Sequence, residues 1–293
     1  MKERAADVRA RLEAAGFRPS KRLGQNLLQD ANMARAIARD ASVGEGDFVV
    51  EVGPGAGALT VELVALGVEL VAVEIDARLL VVARAAVGPD ARVRWIHGDA
   101  LQGKHAWNPA LVAALPADRP WHLVSNLPYS AGSPILAVAA GLAHPPTSIT
   151  VLVQTEVAER IAAEPGTRDY GPLSVRLQLA FAPRIVRRVP AQLFWPRPQV
   201  DSSVLRLELR AERPATLDLA SLDRLVATLF QHRRQTVLGL VAKALGDRGL
   251  AGELLAAHDV APGSRPEDLG PAVLLALSRD ARFRGGDRAS GES

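Results

Sequence analysis

The stretch 48-FVVEVGPGAGALT-60 decides the fold. A short β-branched run that stops at glycine reads as a strand, and the segment after the glycines reads as a helix. Gly53, Gly55 and Gly57 stand between them, where the backbone turns tightly and can come close to a ligand. The helix N-terminus beyond them offers N–H groups without intrahelical partners. The spacing is Gly-x-Gly-x-Gly, whereas a dinucleotide loop has Gly-x-Gly-x-x-Gly.

Outward from this stretch the pattern repeats. LVAVEI (70–75), VRWIH (93–97), WHLVSN (121–126) and ITVLVQ (149–154) are each bounded by Gly, Asp or Pro and separated by helix-length segments. Strands of this kind imply βαβ units and a parallel sheet, and their near-continuous apolar character implies helices on both faces. RIVRRV (184–189) and SSVLRLELR (202–210) differ. In the second, Leu205, Leu207 and Leu209 alternate with Arg206, Glu208 and Arg210, the mark of an antiparallel pair with one wet face at a sheet edge. Seven strands are therefore expected, in an α/β, Rossmann-like domain over 1–212. Glu212-Arg-Pro-Ala reads as a linker, and helices are expected over Leu222–Leu245, Ala251–His258 and Pro266–Leu277, in a small all-α domain over 213–281. The tail, 282–293, is expected to be disordered.

Composition excludes several classes of function. There is no cysteine among 293 residues, so disulfides, thiolate metal sites and cysteine nucleophiles are ruled out. The six histidines have no metal-ligand spacing, and no Gly-x-Ser-x-Gly elbow occurs. No apolar run is long enough for a membrane span, and the N-terminal MKERAADVRARLEAAGF lacks the apolar centre of a signal peptide, so a cytoplasmic protein is expected. Net charge is only +3, yet between Ser174 and Arg234 eleven arginines face five acids. A basic second half beside a mildly acidic first half points to a polyanionic partner.

Three features at strand ends form an ordered set: the glycine loop, Glu74 and His97-Gly-Asp99. An acid at the end of the second strand suits two ribose hydroxyls, and one beyond the third suits an adenine amino group. Together with the loop they fit the nucleoside and methionine parts of S-adenosylmethionine. Gly98-Asp-Ala-Leu-Gln-Gly103-Lys104-His105 nearly spells a phosphate loop, but has His where magnesium needs Ser or Thr. It also follows the third strand, not the first.

The fourth strand stops on 125-SNLPYS-130. An adenine N6 amine is a weak nucleophile because its lone pair is delocalised. The Asn126 side-chain oxygen and a backbone carbonyl near Leu127–Pro128 can accept its two N–H bonds and hold it in line with a sulfonium methyl. Tyr129 can stack on the base. Phe194-Trp195, in LFWPRPQVDSS, offers either a second wall for a flipped-out base or a plug at the domain junction. Arg197 adds charge there, and Arg233-Arg234, placed by the pattern on a helix, can grip phosphates.

KRLGQNLL (21–28), EVGPGAGALT, AVEID, GDA, NLPYS, QTEVAERI, YGPLSV, FWPRPQVDSSVLRL and FQHRRQTV occur in this order, and the series resembles the ribosomal RNA adenine dimethyltransferases from Lys21 to Leu277. Their small-subunit branch is the nearer match, in part through Arg-Pro-Glu-Asp-Leu at 265–269. The resemblance implies an S-adenosylmethionine-dependent methyltransferase fold and dimethylation of N6 on two adjacent adenines in the 3′-terminal hairpin of 16S rRNA. The substrate would be the immature small ribosomal subunit. S-adenosylhomocysteine would be the product, with no metal and a monomeric enzyme. It further implies that Asn26 and Leu28 close over the cofactor, that Gly53 and Gly55 meet its methionine part, Glu74 its ribose and Asp99 its adenine. Asn126 would sit between cofactor and amine, with Tyr129 and Phe194 holding the base. This chain departs from the usual pattern at Leu27, Ser130, Thr155 and Trp195. A large-subunit adenine methylase of the macrolide-resistance type, or an assembly factor that kept the fold without catalysis, are the alternatives.

Overall fold

A computed structural model describes residues 5–14, 16–20, 23–103, 106–213 and 219–285. Helix α1 (Ala5–Ala14) and a two-residue strand β1 (Leu27–Leu28) precede α2 (Ala31–Asp40). The alternating part runs β2 (Phe48–Val52), α3 (Ala58–Ala65), β3 (Glu69–Glu74), α4 (Ala77–Val87) and β4 (Val93–His97). A small hairpin, β5 (Leu101–Gln102) and β6 (Ala106–Trp107), leads to α5 (Pro109–Val112), β7 (Trp121–Asn126), α6 (Gly132–Gly141), β8 (Ser148–Gln154) and α7 (Thr155–Ala162). After α8 (Pro172–Gln178) come β9 (Phe181–Val189), β10 (Phe194–Trp195) and β11 (Ser202–Leu209). The remaining helices are α9 (Leu219–Phe230), α10 (Val237–Leu245), α11 (Arg248–Ala256), α12 (Pro271–Arg279) and α13 (Ala281–Gly285).

The seven expected strands form one sheet in the order β4-β3-β2-β7-β8-β11-β9. The first five are parallel, and β11 runs antiparallel to β8. Consecutive residues such as Val49 and Val50, or Leu123 and Val124, are fully buried although they point to opposite faces. The sheet is thus covered on both sides, as the apolar runs predict. On β11, Leu205 and Leu207 are buried while Glu208 is exposed, the expected alternation.

The chain works outward from β2 through β3 to β4, then returns to place β7 on the other side of β2. In open α/β sheets, a ligand crevice lies at the carboxyl ends of the strands where the order reverses in this way. The loops after β2 and β7 are therefore the ones to inspect, and they carry the glycines and Asn126.

Contacts divide the chain into two units. One holds the residues up to Ala158 together with Ala182–Leu209, the other Glu159–Phe181 and the chain from Arg210 onward. This corrects the single cut at 212/213. Tyr170, Val175 and Leu179 pack in one core with Leu222, Leu225 and Leu274, and the Tyr170 hydroxyl donates to the Leu269 carbonyl at 3.0 Å. Segment 159–181 thus belongs with helices far along the chain.

Two further expectations change. The helix expected over Leu222–Leu245 is broken: α9 ends at Phe230, residues 231–234 form a turn, and Thr236 caps α10 by accepting from Gly239 N–H at 3.3 Å. Part of the tail expected to be disordered is helical, for Arg282 and Phe283 lie in α13, with Phe283 buried and Arg282 paired to Asp280. Residues 286–293 and 214–218, the latter including Pro214 and Ala215 of the expected linker, lie outside the described residues. No helix among the described residues is long and apolar enough to cross a membrane.

Helix α2 starts on Asp30, whose carboxylate accepts from Met33 N–H at 2.6 Å. Asp30→Ala removes that cap and should cost about 1 kcal/mol in urea unfolding. Unchanged stability would show that packing of Ala34 and Ile37 alone holds the helix start.

Candidate active site

Each glycine of the loop after β2 has a positive φ: 72° at Gly53, 59° at Gly55 and 87° at Gly57. Side chains there would also have no room. A Cβ on Gly55 would lie 2.8 Å from Leu27 Cδ2, and one on Gly53 3.3 Å from Pro128 Cγ. The loop is fixed to the next strand by Gly53 N–H on the Val73 carbonyl at 2.8 Å. It is also fixed by Gly55 N–H on Glu74 Oε2 at 3.1 Å. Glu74 Oε1 accepts from Asp76 N–H at 3.0 Å, so one carboxylate spans two loops. Burial raises its pKa, against the opposing pull of these N–H donors.

All seven expected cofactor residues, Asn26, Leu28, Gly53, Gly55, Glu74, Asp99 and Asn126, line one cavity. Asp99 is exposed and its Oδ1 accepts from Leu101 N–H at 2.9 Å, which holds the carboxylate at the mouth. Gly98–Gly103, the near phosphate loop, enters the β5–β6 hairpin and not a helix; its Lys104 and His105 lie outside the described residues.

The segment Leu23–Leu28 closes the cavity from one side, while Lys21 and Arg22 of the KRLGQNLL motif lie outside the described residues. Asn126 Nδ2 donates to the Asn26 carbonyl at 3.1 Å. That bond sets the amide orientation and turns Oδ1, the acceptor, away from Asn26. Pro128's carbonyl accepts from Ala131 and Gly132 N–H at the start of α6.

Tyr129 and Phe194 do not line the cavity. Tyr129 is half-buried beside it, its hydroxyl hydrogen-bonded to Ser202 Oγ at 2.5 Å. Phe194 is 3% exposed, pairs with Leu28 across β1 and β10, and packs among Ile37, Leu59 and Val204. Its ring is core here and presents no free wall. Trp195 packs on Phe17, ring centroids 6.3 Å apart, under the Arg9 guanidinium at 5.1 Å. Both rings pack in apolar clusters made of residues of the first unit. Arg197 is exposed outside the cavity, and Arg233 and Arg234 lie in the turn after α9, in the other unit.

Glu51 escaped the sequence reading. It is 1% exposed, lines the cavity, and its Oε2 has no hydrogen-bond partner. Burial pushes its pKa up to about 8, with Thr60 opposing and the Glu74 charge adding to the rise. The signal was visible as the one acid in the otherwise apolar FVVEV. Every charged side chain among the described residues that line the cavity is acidic: Glu51, Glu74 and Asp99. Such a lining favours a cationic ligand and disfavours one carrying phosphates. No cluster of three or more metal-ligating side chains occurs among the described residues.

Residues 16–263 match the family model described as ribosomal RNA adenine dimethylase. A protein of Phenylobacterium zucineum named ribosomal RNA small subunit methyltransferase A is 42% identical, covering 92% of this chain and 91% of its own length. Its namesake from Leifsonia xyli subsp. xyli is 41% identical, covering 93% and 96%. Among solved structures, a dimethyladenosine transferase from Plasmodium falciparum shares the fold at a TM-score of 0.72 and 20% identity, covering 89% of this chain and 98% of that one. The 23S rRNA methyltransferase ErmE gives 0.61 at 26% identity, covering 88% and 100%.

Between pH 4.5, the ordinary value, and about 8, Glu51 holds a proton in the folded state that the unfolded chain has released. The folded state binds more protons there, so stability should fall as pH rises through that window, by on the order of a few kcal/mol. Glu51→Gln, which mimics the protonated form, should flatten the pH profile of urea-unfolding free energy. Equal slopes in parent and variant would sink the assignment.

Proposed function

Because the chain belongs to the ribosomal RNA adenine dimethylase family, we propose that it dimethylates N6 of adenines in small-subunit ribosomal RNA, with S-adenosylmethionine as methyl donor. The small-subunit reading is favoured over the large-subunit one by relatives of that name at 42% and 41% identity, against 26% for ErmE. The resemblance refines the target to two adjacent adenines in the 3′-terminal hairpin of 16S rRNA, in an immature subunit, approached by a monomer. The observation that carries the reading is the orientation of Asn126.

The acidic cavity fits this donor on its own chemistry. Glu51 Oε2 is buried without a partner in the cavity lining, and Gly53 and Gly55 bring backbone to the cavity wall. When bound, S-adenosylmethionine supplies a methyl on a positively charged sulfur, beside a charged amino group. Glu74 retains lone pairs for ribose hydroxyls after accepting from Gly55 and Asp76, since a carboxylate offers about four acceptor sites. Asp99 stands at the mouth for the adenine amine, and Asn26 and Leu28 cover the cavity from the side of Leu23–Leu28.

The acceptor side needs an N–H acceptor pair and no strong base. Asn126 Nδ2 is spent on Asn26, which leaves Oδ1 to accept one N–H of the target amine. Pro128's carbonyl is spent on α6, so Leu127's is the backbone acceptor for the other. With both N–H bonds held, the amine's lone pair is directed at the methyl, and its proton leaves to solvent after transfer. Catalysis is then positioning and electrostatics. Tyr129 is the proposed wall for the base, its ring held by Ser202. Phe194 can serve as a second wall only if the β1–β10 pairing opens, and otherwise supports the wall from below.

The test is to incubate the protein and labelled S-adenosylmethionine with unmethylated small subunits and, separately, unmethylated 23S rRNA. Label is expected in N6,N6-dimethyladenosine of 16S rRNA. Label confined to 23S rRNA overturns the small-subunit reading, and none in either RNA overturns the activity. Asn126→Ala should lower transfer by roughly 100-fold or more while the thermal unfolding curve stays in place. Transfer within a few-fold of the parent would remove Asn126 from the mechanism.

A further inference from the structure

The helical unit carries an open hollow of about 470 Å³, in the volume range of ligand pockets. Its rim holds three arginines, Arg160, Arg168 and Arg233, against one acid, Asp169. Its lining has two aromatics, the half-buried Phe230 and the fully buried Tyr170, together with Ala227 and Pro172, so Phe230 is the ring with exposed surface. The Phe230 ring is set by a tilted contact with fully buried Tyr170, centroids 6.2 Å apart.

The walls are fixed by hydrogen bonds that do not consume the cavity. The Tyr170 hydroxyl donates to Leu269, Gly166 N–H donates to the Glu267 carbonyl at 2.7 Å, and Gly171 N–H donates to Ser174 Oγ at 3.0 Å. The loop between α7 and α8 is thereby anchored to α8 and to the chain at 267–269. Arg233 Nη1 donates to the Arg168 carbonyl at 2.9 Å, with Glu267 3.8 Å from Nη2. This arginine is thereby held on the rim and not extended into solvent. A preformed cationic rim around an aromatic ring is the combination that single-stranded nucleic acid requires, with phosphate on the cations and base on the ring. A duplex presents its phosphates on a convex surface and keeps its bases stacked inside, so it cannot fill a hollow of this kind.

We propose that this hollow receives one unpaired nucleotide of the RNA substrate, with its phosphate on the Arg168–Arg233 rim and its base against Phe230. The proposal rests on the reading of the chain as an RNA methyltransferase. It assigns to the helical unit a site separate from the methyl-transfer cavity and specific for unpaired strand.

The probe is a fluorescein-labelled single-stranded RNA octamer, and the same octamer in a blunt duplex, followed by fluorescence anisotropy with the full chain. Arg168→Glu, an exposed position, should weaken the single strand roughly tenfold and shallow its salt dependence by about one phosphate contact. Phe230→Leu should weaken the single strand and leave the duplex within about twofold, since only an unstacked base can use the ring. A 4-thiouridine octamer should crosslink to the peptide containing Phe230. Unchanged octamer affinity in Arg168→Glu, equal losses for single strand and duplex in Phe230→Leu, or crosslinks confined to other peptides would each overturn the proposal. Methyl transfer to small subunits is scored separately. Transfer with octamer binding unaltered by the variants removes the hollow alone, whereas mapped octamer binding without transfer removes the activity and leaves the hollow.

Discussion

One carboxylate holds the cavity together. Glu74 accepts from Gly55 N–H with one oxygen and from Asp76 N–H with the other, so the turn after β2 and the turn after β3 are fixed against the same group. Glycine is needed at 53, 55 and 57 because the turn runs through positive φ and passes under Leu27 and Pro128 without room for side chains. The parallel register Val52↔Val73 brings those two loops side by side. Sheet order then adds the loop after β7, since β7 lies on the other flank of β2.

That arrangement concentrates negative charge where desolvation is costly. Glu51 and Glu74 are both buried, which raises both pKa values; the Glu74 charge adds to the rise at Glu51, and the Asp76 charge adds to the rise at Glu74. A site of this kind is strained in its ionised form until a cation enters, and the same groups would repel a pyrophosphate. The difference between this cavity and a dinucleotide crevice of similar topology therefore lies in the lining charge more than in the glycine spacing.

The parallel strands and the strand-end residues Gly53, Glu74, Asp99 and Asn126 were legible in the sequence because their causes are local, whereas Asn26 and Leu28 came from the family resemblance. Apolar runs bounded by glycine mark strands buried on two faces, and acids at strand ends fall at one edge of a parallel sheet whatever the loops do. Where the cause is distant, the reading changed. Segment 159–181 joins the helical unit through Tyr170 and Leu269, a hydrogen bond across 99 positions that no local pattern encodes. Phe230–Thr236 contains no glycine or proline, so the sequence pattern gives no stop there. The break is made by Val237 N–H on the Ser264 carbonyl and by Arg233 on Arg168, with Thr236 as its one local sign. Phe194 was open to reading as a wall or as a junction plug because Phe194-Trp195 concentrates aromatics in a chain that has few. It is core because β1 pairs with β10 over it.

Ser130, one of the positions where the chain departs from the pattern it resembles, stands in the acceptor loop after β7. Leu23–Leu28 meets that loop at Gly24, where a Cβ would lie 2.8 Å from Ser130 N and 3.0 Å from Tyr129 N, in a backbone with φ of 62°. The contact is made mainly by backbone on the loop side and by the missing side chain on the other. The Ser130 side chain itself is exposed. Asn126 is then held by the Asn26 carbonyl, also backbone. The geometry that directs Oδ1 thus depends on peptide groups and on one glycine.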